Sequence, residues 1–136
     1  MTMQGRYDRL IDRVVERIYA REPELLAKYG ERGRVKCRED NHHHMRHLET
    51  AFRMQDSRIF TDYAVWLNGI LLAHGLETRH LIEAFRLIEE SLPLAEAVTE
   101  PEIDGFRRDL QAAVERLGRE SRSAAAAGCP EVEVTT

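Results

Sequence analysis

The residues with the richest chemistry lie in one stretch, Cys37-Arg38-Glu39-Asp40-Asn41-His42-His43-His44-Met45-Arg46-His47. On a helix of 3.6 residues per turn, Asp40 and His44 sit four apart and share a face. A carboxylate that accepts from one imidazole nitrogen fixes the tautomer and leaves the other nitrogen for a ligand. His43 and His47 are four apart, and His44 and His47 three apart, spacings that present two imidazoles to one ion. His43, His44 and His47 are therefore the candidate metal set, with His74 and His80 as outer ligands from other helices and a transition metal or haem as the implied cofactor. The pattern is not HExxH, because Asn41 precedes three histidines and no Glu stands in register. The rival reading is a solvated helix face with one satisfied core histidine.

Nucleophilic catalysis finds little support. Cys37 and His44 share a face but are separated by about 10 Å of helical rise, too far for direct proton transfer. No GxSxG elbow occurs, and Glu89-Glu90 lies at an exposed helix end. An enzyme is not the expectation. Upstream, Gly30 and Gly33 flank a helix start that carries Arg32, Arg34 and Lys36. Free N–H groups there favour an anion, so these side chains form a candidate phosphate or carboxylate grip. Alternatively they cap neighbouring helices or pair with Glu31, Glu39 and Asp40. No Walker or dinucleotide fingerprint is present.

The elements that must position these groups are all helical. Tyr7, Leu10, Ile11, Val14, Val15, Ile18 and Tyr19 recur at steps of three and four, and Pro23 ends that helix. Glu24–Tyr29 reads as a short helix stopped by Gly30. A third helix begins within Arg32–Lys36 and reaches Met54. Asp56 or Ser57 caps a fourth that runs to His74, with Gly75 as its stop. A fifth opens at Thr78 and ends before Pro93. Thr99-Glu100-Pro101-Glu102 is a capping box for a sixth, carrying Ile103, Phe106, Leu110, Ala113, Val114 and Leu117. No stretch alternates with a period of two for long enough to form a strand. The expected fold is all-α, an antiparallel bundle of five to six helices over 1–122, followed by a mobile tail over 123–136.

The inward face of the third helix is apolar at Met45, Leu48, Ala51 and Phe52. Extended toward the N-terminus it passes through His44, Asn41 and Cys37, with Asp40 and His47 on its flank. Groups of that kind are costly to bury without partners. The fourth helix puts Phe60, Tyr63, Ala64, Leu67, Ile70 and Leu71 on one face, with Trp66 beside Tyr63 and Ile70. These aromatics are either core or the wall of a small pocket. The candidate ligand-binding residues are Asp40, Asn41, His44, Tyr63, Trp66 and Arg34. A Tyr63 hydroxyl meeting Asp40 and His44 would equally make a structural network.

Composition narrows the classes. The 136 residues are 43% hydrophobic and 32% charged, an ordinary balance for one globular domain. No apolar run is long enough for a membrane span. The N-terminus has no apolar signal-peptide centre, so the expected compartment is the cytoplasm. A net charge of −4 argues against nucleic acid as a partner, although all basic residues except Lys28 and Lys36 are arginine. Cys37 and Cys129 form no CxxC pair, so no structural zinc knuckle is expected.

The run from Gly30 to Asp40, then His44 and Leu48, followed by Phe60, Tyr63, Trp66 and Leu71 in the spacing F-x-x-Y-x-x-W-x-x-x-x-L, carries a resemblance. It resembles the helical region that precedes the cobalamin-binding module in some bacterial sensory and regulatory proteins, over about 29–93. The resemblance equates Asp40 and His44 with the Asp and His of that family's helix, and Tyr63 and Trp66 with its aromatic pair. The DxHxxG motif that supplies the module's axial histidine is absent here, and so is a βαβ pattern to hold it. What is implied is a noncatalytic sensory or regulatory helical module, with a protein partner in signalling, a possible homodimer and a small ligand beside the third helix, but not cobalamin. The alternative is a metal- or haem-binding helical protein.

Overall fold

The computed structural model describes residues 3–126, and the chain is an all-α helical bundle. Five α-helices make up the described residues: α1 (Asp8–Arg21), α2 (Pro23–Met54), α3 (Arg58–Ala73), α4 (Thr78–Ser91) and α5 (Glu100–Ala126). Short 3-10 turns at Met3–Tyr7 and Leu92–Leu94 precede α1 and follow α4. No helix among the described residues is long and apolar enough to cross a membrane.

The expected second and third helices meet in α2, and Gly30 is the break between them. Its φ of 66° and ψ of −161° are non-helical and bend the chain inside an otherwise continuous element. An L side chain is strained in that region, whereas glycine has no Cβ to clash. At the far end, Gln55 takes the left-handed conformation and its N–H closes back on Ala51 and Phe52. Asp56 accepts the Arg58 amide at 3.0 Å at the entry to α3. Ser57 turns instead to Asp109 of α5. The predicted box at Thr99 is present: the Thr99 amide donates to Glu102 at 2.9 Å and Thr99 Oγ1 accepts the Glu102 amide at 3.3 Å. The final helix runs through Ala126, past the expected boundary at 122, because the alanines continue it; residues 127–136 of the expected tail lie outside the described residues.

Packing closes a ring in which α1 lies against α2, α2 against α3, α3 against α5, α5 against α4, and α4 against α1. The interior is filled by the stripes read from the sequence: Leu10, Ile11 and Val14 of α1, Met45 and Leu48 of α2, Phe60 of α3, Phe85 and Ile88 of α4, and Phe106, Leu110 and Leu117 of α5. Each large side chain buried here stabilises the fold by about 1.5–3 kcal/mol relative to leaving it in water. One polar cluster ties the first turn to two distant helices. The Tyr7 hydroxyl donates to Glu49 at 2.6 Å, while Arg6 reaches Glu49 at 3.2 Å and Glu102 at 3.3 Å.

Gly30→Ala tests the break directly. Nothing lies within 4 Å of a Cβ placed there, so any loss comes from the backbone alone. Urea unfolding is expected to show a loss of about 1–3 kcal/mol. A variant as stable as the parent would mean that the chain turns there without needing positive φ.

Candidate functional site

His44 is the centre of the site. It points from α2 into the bundle and is 2% exposed. Its ring lies edge-on to Phe85 at 5.1 Å and to Tyr63 at 5.7 Å between centroids. Nδ1 shares a 2.7 Å hydrogen bond with the Tyr63 hydroxyl of α3. Burial drives the imidazole pKa from 6.5 down to about 3, with His43 and His47 adding repulsion. The ring is therefore neutral at ordinary pH. Burial also raises the Tyr63 phenol, and the charge of Asp40 pushes it the same way.

The outer side of Tyr63 is covered by His47, whose ring stacks on it at 3.7 Å with 12° between planes. His47 Nδ1 donates to the His43 carbonyl at 2.8 Å, which fixes that ring along the helix. Trp66 follows at 6.3 Å from Tyr63 and is 62% exposed. A layered series thus runs from core to surface: Phe85, His44, Tyr63, then His47 and Trp66.

Several expected roles change in the structure. Asp40 does not brace His44. It lies at the rim of α2, and its ion-pair partner is Lys36 at 3.9 Å. The reason is direction: the His44 ring leans across to α3, where the Tyr63 hydroxyl is already inside. A carboxylate beside it would have to be stripped of water. The Asp40 carboxyl is raised by partial burial, lowered by Lys36 and His43, and raised again by Glu39. Asn41 is buried as expected but bonds within its own helix, its Nδ2 donating to the Cys37 carbonyl at 2.9 Å. Trp66 faces outward, away from the buried side of His44, and Ile70 turns outward with it. Arg34 lies over the Tyr19 ring at 5.0 Å, in contact with α1 and not with His44.

Of the expected anion grip of Arg32, Arg34 and Lys36, Lys36 lies 3.9 Å from Asp40 and Arg34 lies over Tyr19, while the neighbouring Arg38 pairs with Asp12. The Lys36–Asp40 pairing is the alternative read from the sequence. The histidines do not converge. His43 is exposed, His44 uses Nδ1 on Tyr63, and His47 uses Nδ1 on the backbone. His74 donates to the Ile70 carbonyl, and His80 accepts the Glu77 amide at the start of α4. Among the described residues, no three of His, Cys, Asp or Glu are grouped to hold a metal ion. The Cys37 thiol is pushed up to about 11, first by burial and then by Asp40, so it stays protonated near neutrality.

Three buried polar groups escaped sequence reasoning: Asn68, Ser91 and Asp109. Asn68 turns into the bundle from α3, and Asp109 is buried on α5, where Ser57 Oγ donates to it at 2.5 Å. A partial signal existed for Asn68, since one helical turn separates it from Ala64 on the inner face. The same cue existed for Asp109, which lies one turn from both Phe106 and Ala113 of the inner stripe. Comparisons of the chain with protein-family models, curated proteins and solved structures find no match.

The His44–Tyr63 pair makes two measurable claims. Tyr63→Phe or His44→Leu alone leaves one buried partner unpaired and is expected to cost about 1–3 kcal/mol in urea unfolding. The double variant is expected to cost less than the sum of the singles; strict additivity would mean that the bond contributes nothing. The pH dependence has a defined sign. Unfolding frees His44 to take up a proton, so its contribution is present above pH 6.5 and is lost as pH falls toward about 3. His44→Leu is expected to flatten the stability–pH curve across that window, and an unchanged acid limb would contradict the assignment.

Proposed function

We propose that this chain is a noncatalytic helical module of a regulatory system, acting by pairing with a second copy of itself through the outer face of α3. The regulatory part of the reading is supported by the resemblance over about 29–93. The noncatalytic part is supported by how the reactive groups are used. The imidazole at the centre is occupied by Tyr63, and the nearby thiol is held protonated. Two neighbouring clefts on the surface are lined by residues of α1, α4 and α5 or their adjoining residues and do not include His44.

The observation that carries the pairing is the apolar outer face of α3. A surface helix normally places polar residues on its solvent side. Past the charged Arg58 and Asp62 at its start, this one carries Trp66, Gly69, Ile70 and Ala73 there, with Trp66 62% and Ile70 37% exposed. Gly69 has open space around it, with nothing within 4 Å of a Cβ. Within a single copy, that glycine only weakens the helix, by about 1 kcal/mol relative to alanine. Against a second helix it becomes useful, because bulky Trp66 and Ile70 stand beside small Gly69 and Ala73 on one face. A face carrying both knobs and hollows is complementary to its own twofold mate. The exposed apolar patch is small, so the association is weak and concentration-dependent. Trp66 also touches the layer over Tyr63, which couples this face to the buried His44 bond.

Trp66 is the sole tryptophan and reports its own environment. Raising the protein concentration is expected to shift its fluorescence to shorter wavelength, together with a larger sedimentation coefficient. Gly69→Glu places a charge in the face without crowding the fold and is expected to abolish both changes. A parent protein that stays monomeric with constant emission would refute the pairing, as would a Gly69→Glu variant that associates equally well.

A further inference from the structure

A second surface feature lies away from α3. Between α1, α4 and α5 there is a cleft of about 630 Å³, a size suited to a small organic molecule. Four arginines line it: Arg21, Arg79, Arg86 and Arg122. Two are neutralised within the protein, since Arg21 pairs with Glu83 and Arg79 holds Glu22 at 2.7 Å. The remaining acid of the lining, Glu115, is taken by Arg119 at 3.6 Å. Arg86 and Arg122 are exposed and form no ion pair with any described residue. In a chain with net charge −4, two uncompensated guanidiniums therefore face one concave site.

The floor of the cleft is different in character. Ile82 and Val114 contribute apolar surface between the charged walls. Gly118 forms part of the wall, and a Cβ there would sit 3.3 Å from Arg122 Nη1, tighter than ordinary contact. Its absence leaves the Arg122 guanidinium room at the edge of the cleft. The opening also continues into a neighbouring groove of about 350 Å³ that shares Arg86, Val114 and Glu115. A guanidinium offers a planar fork that matches carboxylate or phosphate oxygens two at a time.

We propose that this cleft binds a small organic dianion, with Arg86 and Arg122 taking the charge and Ile82 and Val114 receiving an apolar body. Phosphate monoesters and dicarboxylates share this chemistry. The site is independent of the α3 face, since no α3 residue lines it, so either proposal can fail alone.

Isothermal titration of the full chain at low salt provides the test, with phenyl phosphate and phthalate as the two probes. Saturable binding of at least one probe is expected, and the tighter of the two identifies the head group. Arg86→Gln with Arg122→Gln is expected to weaken binding by about tenfold or more, the effect of losing charge-assisted hydrogen bonds. Arg13→Gln with Arg53→Gln removes the same charge from exposed positions outside the cleft and is expected to leave affinity within about twofold. Circular dichroism checks that both double variants keep their helices. Absence of saturable heat with both probes would overturn the proposal. Equal weakening by the two double variants would do so as well, because attraction to overall charge would then explain the binding.

Discussion

An imidazole removed from water has to stay neutral and keep a nitrogen bonded, and the centre of this bundle is arranged around that demand. His44 enters from α2 and Tyr63 from α3, and their 2.7 Å hydrogen bond joins the two helices across the core. Neither group tolerates burial alone, because each would leave a polar atom without a partner. The bond therefore sets how α2 and α3 face one another. Phe85 of α4 closes the other side of the ring, so three helices share one small contact region. Apolar packing supplies most of the stability, but it is tolerant of small rotations. A directed bond at the centre is less so.

The remaining residues of α3 divide between core and surface around this contact. Tyr63 turns inward to meet His44, and Trp66 and Ile70, three and seven residues further along α3, lie on the flank of that face rather than opposite it. Trp66 and Ile70 emerge on the solvent side, and Asn68 is drawn in. The polar groups at the other end of the bundle follow a similar logic. Arg6, Tyr7, Glu49 and Glu102 combine into one cluster that fastens the N-terminal turn to α2 and α5. Charges in the cleft between α1, α4 and α5 are instead only partly compensated, and the imbalance is confined to Arg86 and Arg122.

Much of the architecture was legible because it depends on neighbours along the chain. The stripe from Tyr7 to Tyr19, the box at Thr99 and Glu102, and the breaks at Gly30 and Gly75 all involve residues within four positions. Burial of His44 was legible too, as the extension of an apolar face. Its partner was only half legible. Tyr63 was foreseen as a possible contact, but Asp40 at i−4 looked nearer and lies on the same helix. The wheel reports angular position and not how far inward a side chain leans, so it could not separate the rim from the interior.

The amino-acid sequence by itself determined that this protein is helical, where most of its helices start and stop, and which imidazole turns inward. Backbone hydrogen bonding and side-chain periodicity act over one or two turns, and that information is local. Only the tertiary structure decided that His44 meets Tyr63, that Asp40 stays with Lys36, that Trp66 faces solvent, and that Arg21, Arg79, Arg86 and Arg122 surround one cleft. Those outcomes depend on rotations and separations of whole helices. They are set when several buried polar groups and apolar stripes must be satisfied at once, a condition that no single segment contains.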